Sequence, residues 1–225
     1  MKHFSVSCLI IALLALWVMG CASTESSRSL AVEQTQAART PYNGPRSSIA
    51  VGNFDNRSGF MRGLFSDNDQ LGSQAKTILI THLQQTNRFT VLDRDNMEEI
   101  RREAEIRGEA QELMGAAYVV TGDVSEFGRR EVGDQQLFGI LGRGKRQIAY
   151  SKVSLNIVDI RTSAVVYSVQ GAGEYELSDR EVLGFGTTSG YDSTLNGKVL
   201  DLAIREAVDR LTEAIDSGAW RPAGV

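Results

Sequence analysis

The sequence feature that most constrains the fold is a block of strand-like sequence between residues 116 and 175. The runs 116–124 and 153–160 are rich in valine, isoleucine and other residues that favour strands, and a turn at 161–163 leads to a third run at 164–169. Strands that follow one another in sequence usually lie side by side in one sheet. This block is therefore predicted to form the centre of a sheet.

Two long glycine-containing insertions, at residues 127–148 and 174–196, accompany these strands. Loops of more than about 12 to 15 residues are uncommon in compact domains unless they serve a function. A strand that crosses a membrane needs about 9 to 11 residues. Each insertion is therefore long enough to form a β-hairpin with two membrane-crossing strands and a tight turn.

The polarity of the insertions fits a membrane hairpin less well than their length does. A barrel strand should present an apolar residue at every second position, and the best such set here consists of Ile140, Gly142, Gly144, Ile148 and Tyr150, with Arg146 in the same register. Residues 127–136 are mixed on both faces. The alternative is that both insertions are surface hairpins of a periplasmic domain that never enters the membrane.

The N-terminus has the pattern of a lipoprotein signal peptide. Lys2 precedes an apolar run at residues 6–19, which is too short for a stable transmembrane helix, and residues 18–21 resemble a bacterial lipobox. Residues 1–20 are therefore predicted to be removed and Cys21 to be acylated. By resemblance to other bacterial lipoproteins, Ala22 after the cysteine favours the outer membrane, with the domain facing the periplasm.

The remaining chain is predicted to consist of a tether and one domain. Residues 21–47 are rich in serine, threonine, alanine and glutamine, which favours an acylated flexible tether. The domain at 48–225 is expected to contain strands at 48–54 and 89–92, helices over 68–85 and from about 95, and a last helix from about Gly197 to Gly218. The order β-α-β-α-β-β-β-α predicts an α+β fold, a helix-covered mixed sheet, with Trp220 packed back on it.

Composition and motifs argue against enzymatic, metal-binding and nucleic-acid-binding functions. Cys8 leaves with the signal peptide, so the mature chain keeps one histidine, His82, and one acylated cysteine, which excludes the usual zinc ligand sets and histidine-dependent nucleophiles. His82 is expected to be a buried structural residue. The formal net charge is −4, with no basic patch interleaved with aromatic residues. No cofactor is expected.

Residues 139–146 superficially fit a phosphate-binding loop, G-x-x-x-x-G-K. The pattern lacks the serine or threonine that holds magnesium, and strand-like sequence follows where a helix should begin. We therefore interpret this stretch as a hairpin tip.

Several segments in the same order resemble the CsgG/HfaB family of outer-membrane lipoproteins: Asn53-Phe54 with Ser58-Gly59, 88–94, 117–122, 138–140, 149–163, 167–169 and Trp220. The resemblance implies a ring in which each subunit lends two β-hairpins, here 127–148 and 174–196, to one shared transmembrane barrel that exports unfolded curli subunits. It also implies a channel-narrowing loop at residues 60–68, to which Phe60, Leu64 and Phe65 would contribute.

The sequence thus supports two functional hypotheses. In the first, the chain is a lipid-anchored, homo-oligomeric outer-membrane channel for curli-like or surface-fibre polypeptides, or an anchor for such a fibre, and works with accessory envelope proteins. In the second, it is a lipid-tethered periplasmic adaptor that binds another envelope protein without forming a pore. Neither hypothesis involves catalysis or nucleic acid.

Overall fold

The computed structural model describes residues 32–60, 69–135, 143–181 and 194–222. In chain order the strands and helices are β1 (Ser47–Asn56), α1 (Gln70–Gln85), β2 (Phe89–Leu92), α2 (Met97–Arg107), β3 (Tyr118–Gln135), β4 (Arg143–Asp159), β5 (Val165–Glu181) and α3 (Thr194–Asp216). This order of strands and helices is the predicted one.

The strands form one mixed sheet in the order β2-β1-β3-β4-β5. β1 runs parallel to both β2 and β3, whereas β3, β4 and β5 pair antiparallel. Parallel neighbours need a crossover connection, and α1 and α2 supply it on either side of β2. The predicted α+β class with a helix-covered mixed sheet is confirmed.

The hydrophobic core lies between one face of the sheet and helices α1 and α3. The fully buried side chains come from the sheet and from both helices, and the largest include Ile49, Leu79, Leu83, Phe89, Val120, Leu155, Ile157, Leu200, Ile204 and Leu211. α3 approaches β5 closely because Gly171 and Gly173 have no side chains. A Cβ at Gly171 would clash with the carbonyl oxygen of Ala203 and the amide nitrogen of Ala207.

A β-bulge at Ser125 divides β3 into two parts. Val124 pairs with Val153 of β4, whereas Glu126 pairs with Lys152, so one extra residue of β3 lies between consecutive pairs. Before the bulge, even-numbered residues such as Val120 and Val124 face the helices and are buried. After the bulge, Phe127 takes that face.

A segment before β1, which we call the strap (residues 35–42), lies against the domain. Thr35 and Ala37 are buried, and residues 37–39 form a 3₁₀ turn. The sequence predicted a tether over residues 21–47, but the compact unit that contains the sheet already begins at Gln34. The strap lacks an apolar period because hydrogen bonds, rather than an apolar stripe, hold it.

Helix α2 differs from the other two helices because none of its residues is buried. Ile100 and Ile106 are exposed by 40% and 72%. Within the described ranges, no helix is both long enough and apolar enough to span a bilayer.

Candidate functional site

Three antiparallel segments, 129–135 of β3, 143–149 of β4 and 175–181 of β5, extend the sheet past the end of β1. We call them the ribbon. Their pairing is continuous, from Arg129, Ala149 and Tyr175 at the base to the outermost described residues Gln135, Arg143 and Glu181. The pairing of β1 with β3 stops before the ribbon begins. At about 3.3 Å per residue, the ribbon is about 20 Å long.

The ribbon corresponds to most of the predicted hairpins. Residues 127–135 and 143–148 are the two arms of the first one, and its remaining residues lie outside the described part of the chain. In the second, residues 174–181 form a strand that pairs with β4, and 182–193 lie outside the described part. Its last residues belong to α3, which begins at Thr194 rather than near Gly197.

At the ribbon base and just below it, one face of the sheet carries three ion pairs: Lys152–Glu126 and Arg146–Glu176 join adjacent strands, and Arg130–Glu174 spans β4 from β3 to β5. The nitrogen-to-oxygen distances are 3.6 Å for Lys152–Glu126, 4.0 Å for Arg130–Glu174 and 3.6 Å for Arg146–Glu176. We call this the charged face.

Ile148 and Tyr150 lie on the charged face, because they alternate along β4 with residues that face the helices. Their interpretation as lipid-facing, in a set that includes Arg146, stays a prediction. A basic side chain on the lipid face costs about 2 to 4 kcal/mol at the bilayer midplane.

The opposite face anchors the ribbon base to the domain. Phe127 packs on Phe60 with ring centroids 4.7 Å apart, and the Arg129 side chain donates a hydrogen bond from Nε to Oδ1 of Asn196 in α3, at 2.7 Å. The Lys198 ammonium lies 5.0 Å from the centroid of the Tyr175 ring. The start of α3 is therefore level with the ribbon base.

The predicted site residues are only partly within the described chain. Phe60 is partly buried, and its carbonyl oxygen accepts a hydrogen bond from Nδ2 of Asn56 at 2.8 Å. The Phe60 ring packs on the Phe127 ring of the same chain. Leu64, Phe65 and Cys21 lie outside the described residues, and their roles stay predictions.

Below the ribbon, Asp123 of β3 pairs in register with Asp55 of β1. Burial raises the pKa of the Asp123 carboxyl, the Arg57 guanidinium lowers it, and the negative charge of Asp55 raises it. The two carboxylates therefore lie close to the end of the β1–β3 pairing, below the start of the ribbon.

The remaining candidates for chemistry in the sequence, His82 and the residues that resemble a phosphate-binding loop, have structural roles. Nε2 of His82 lies 2.7 Å from Oδ1 of Asp201 in α3, and His82 is buried as predicted. Residues 144–146 belong to β4 instead of preceding a helix, so no helix N-terminus is available there for phosphate. No cluster of histidine, cysteine or acidic residues suited to a metal ion occurs in the part of the chain that the structure describes.

Sequence reasoning missed the contacts that fix the ribbon base. Arg129 and Asn196 are 67 residues apart in sequence, and their pairing follows only from the packing of α3 across the sheet. Opposite charges along strands 126–130, 146–152 and 174–176 were a visible signal of cross-strand ion pairs, but the register needed to match them depends on the bulge.

Comparison with known proteins gives one family and one strong relative. The sequence model of the family "Curli production assembly/transport component CsgG" matches residues 29–223. The chain is 65% identical over 223 residues, covering 99% of each chain, to "Putative lipoprotein NMB1126/NMB1164" of Neisseria meningitidis serogroup B.

Solved structures show weaker similarity. A PelC dodecamer from Paraburkholderia phytofirmans matches at 15% identity and a TM-score of 0.37, over 75% of this chain and 91% of that chain. Lipoprotein GNA1162 from Neisseria meningitidis matches at 16% identity and a TM-score of 0.36, over 76% and 99%. These similarities are too weak to transfer an assembly state or a function.

Proposed function

The chain belongs to the CsgG family, and from this we propose that it is a lipid-anchored subunit of a ring-shaped outer-membrane channel. Acylated Cys21 would hold the domain on the periplasmic side of the membrane. The cargo class is unfolded curli-like or surface-fibre polypeptide, and an anchor for such a fibre is a variant of the same role. Accessory envelope proteins would work with the channel, and the proposal includes no catalytic step.

The observation that supports the channel is the ribbon. A three-stranded ribbon beyond the core has two outer strands, and backbone polar groups in a membrane must be hydrogen-bonded within protein. One copy cannot close such a short ribbon into a barrel, because a closed barrel takes about eight strands or more. Several copies that join their ribbons side by side satisfy both requirements.

The charged face supports a water-filled lumen. Barrel strands alternate between lipid-facing and lumen-facing residues, and the ion pairs Arg130–Glu174 and Arg146–Glu176 occupy one face. A lumen lined with both signs of charge suits an unfolded polypeptide, whose own charges are mixed and which carries no fixed surface to recognise.

The channel is tested first by assembly and conductance. Wild-type protein extracted in mild detergent should run as a large heat-sensitive ring and should conduct ions in a planar bilayer. Glu174→Lys should shift the ion selectivity of the pore towards anions, because it reverses a charge on the lumen side. The matched control, Glu213→Lys on the exposed surface of α3, should leave selectivity unchanged. A monomer without conductance would contradict the channel.

Membrane attachment has a separate test. Cys21→Ala should release the protein into the soluble periplasmic fraction if acylation is the initial anchor. Labels at Gly142 and Gly186 should become inaccessible to water-soluble quenchers on the periplasmic side of intact outer membranes if the hairpins insert, because inserted hairpins carry their tips away from that side. Full retention of Cys21→Ala on membranes would contradict the lipid anchor, and accessible labels would contradict insertion.

The second candidate is a lipid-tethered adaptor without a pore. The exposed side of the molecule near α2 favours it, since Ile106, Leu113 and Met114 are each more than half exposed. Exposed apolar residues close together in sequence suit a protein partner. A monomer or dimer in detergent, with binding to an envelope protein that Ile106→Ser abolishes, would favour the adaptor over the channel.

A further inference from the structure

The strap is held by two carboxylates of α3, seven residues apart. Asp209 accepts a hydrogen bond from the backbone N–H of Ala37 at 3.4 Å. Asp216 binds the Arg88 guanidinium through both oxygens, at 3.0 and 2.5 Å. Seven residues are two turns of a helix, so both carboxylates lie on one side of α3.

Arg88 connects the strap to this side of the helix. It is buried, and its Nη1 donates hydrogen bonds to the carbonyl oxygens of Ala37, at 3.2 Å, and Thr86, at 3.0 Å. Its guanidinium carbon lies 4.9 Å from the centroid of the Tyr42 ring. A buried guanidinium with several acceptors gives a specific attachment, because any other position of the strap would leave buried donors unpaired.

The strap and the ribbon lie at opposite ends of α3. α3 runs antiparallel to β5, since Gly171 lies against Ala203 and Ala207 whereas Gly173 lies against Val199 and Leu202. The start of α3 is level with the ribbon base. At 1.5 Å per residue, Asp209 is about 22 Å along the helix from Thr194.

We propose that Arg88, Asp209 and Asp216 fix the height of the lipid anchor, so that residues 21–34 alone must bridge the distance from the strap to the membrane. The inference rests on the proposed channel, in which the ribbon and the lipid enter the same membrane. Thirteen Cα-to-Cα steps separate Cys21 from Gln34 (34 − 21). Fully extended, they reach at most about 45 Å.

This maximum reach exceeds the distance of about 22 Å along α3 from the strap to the ribbon base. A docked strap therefore lets the lipid and the ribbon insert together without tension. A much shorter segment would hold the ribbon base away from the bilayer. The three residues are positioning residues, because they act through the strap and touch neither lipid nor cargo.

The test uses full-length acylated protein and four variants. Deletion of residues 24–33 keeps Ala22 and Ser23 after the cysteine and leaves three steps, which reach about 11 Å. A control replaces 24–33 with ten Gly/Ser residues. A relocation variant combines the deletion with ten Gly/Ser residues inserted after Gly44, beyond the strap. The fourth adds Ala37→Asp to the relocation variant, which places a carboxylate beside Asp209 and expels the strap.

The readout is the fraction of heat-sensitive ring in detergent extracts and the protection of a label at Gly142 in membranes. The control should match wild type, and the deletion should lower the ring fraction at least tenfold. The relocation variant should stay as low as the deletion, because its extra residues lie on the wrong side of the strap. Addition of Ala37→Asp should restore assembly to within twofold of the control.

Either of two results overturns the inference: the deletion assembles like wild type, or the relocation variant assembles like the control. Hydrogen exchange in the soluble Cys21→Ala protein checks docking without a membrane, and the Ala37 amide should exchange slowly unless Ala37→Asp is present. Rapid exchange in the unaltered strap also overturns the inference. If wild type itself forms no ring, the proposed channel fails and the anchor-height inference falls with it.

Discussion

Helices α3 and α2 both have an apolar stripe in sequence, yet only one stripe is buried. In α3 the apolar side is almost completely enclosed, with Leu195, Val199, Leu200, Ala203, Ile204, Ala207, Val208 and Leu211 at 0% exposure. In α2 the corresponding residues Met97, Ile100 and Ala104 are not buried. A helical period therefore predicts where a helix is apolar, but not whether anything covers it.

The two faces of the sheet explain this difference. A right-handed crossover from β1 to β2 and another from β2 back to β3 place α1 and α2 on opposite faces. The face away from α1 and α3 is polar in its centre, where Ser168 donates a hydrogen bond to Asn156 at 2.7 Å and Gln170 donates one to Ser154 at 3.2 Å. A polar face gives α2 little to bury against.

Replacing one isoleucine by alanine in each helix should show the difference between α3 and α2 most clearly. Ile204→Ala should lower the free energy of unfolding by about 2 to 5 kcal/mol, because it leaves a cavity in the core. Ile100→Ala should cost less than about 1 kcal/mol, since Ile100 is 40% exposed. Urea unfolding of the soluble Cys21→Ala protein measures both. Equal losses would show that α2 is buried in solution.

Arg88→Leu should give the next largest effect, at the C-terminal end of α3. It leaves Asp216 without its buried partner, and the loss should be about 2 to 3 kcal/mol because the Asp216 side chain is 44% exposed and rehydrates in part. Arg210→Leu removes an exposed pair with Glu206 on the same helix and should cost less than about 1 kcal/mol. Similar urea midpoints for the two variants would contradict a stabilising role of the Arg88–Asp216 ion pair.

Gly171→Ala tests the close approach of α3 to β5. The new Cβ would meet the backbone of α3, so the helix must shift, at a cost of about 1 to 3 kcal/mol. A Cβ at Gly115, between α2 and β3, would meet nothing within 4 Å, so Gly115→Ala should be neutral or slightly stabilising. Thermal unfolding of both variants compares the two helices' surroundings, and an unchanged midpoint for Gly171→Ala would count against the tight contact.

The smallest expected effect is a pH dependence of folding stability that has opposite signs at Asp209 and at Asp93. Burial raises the pKa of Asp209 in α3, so its contribution to stability is lost as pH rises through the folded pKa. The hydrogen bond from the Asn96 side chain is the main cause of a lowered pKa at Asp93 before α2, so its contribution is lost as pH falls through the folded pKa.

At pH 7, Asp209→Asn should therefore match or exceed wild-type stability, and Asp93→Asn should fall below it. Both differences should stay under about 1 kcal/mol and should shrink on acidification, for Asp209 above its ordinary pKa of about 3.9 and for Asp93 below it. Urea titrations across pH 3 to 7 measure them. The same sign for both variants would refute the assignment.

Local signals in the sequence were enough to predict the order of the strands and helices. The β2 prediction at 89–92 agrees with the structure, the last helix ends before Gly218, whose φ is +75°, and Trp220 is buried beside Tyr167 and Tyr118 as predicted. Each of these depends on side-chain pattern or on a glycine conformation. The fold class followed from their order.

The strap and the ribbon base were beyond sequence reasoning for a shared physical reason. Arg88 and Asp216 are 128 residues apart, and one buried ion pair leaves no period in the sequence. The sequence alternation places Arg146 in one set with Ile148 and Tyr150, as the structure does, but it does not give their partners on β3 and β5. Cross-strand pairs decide which alternate set is polar, and sequence alone does not supply them.

The single extra residue at Ser125 uncouples the two halves of β3. Side chains before it are committed to the core, whereas those after it can be exchanged between faces by one insertion or deletion near the bulge, without any change at Val120 or Val124. Evolution can thus exchange the two faces of the outer part of the sheet in one step while Val120 and Val124 keep their buried neighbours, at the cost of the Phe127–Phe60 and Arg129–Asn196 contacts. Related chains should accordingly differ in length at this position more readily than anywhere else along the strand.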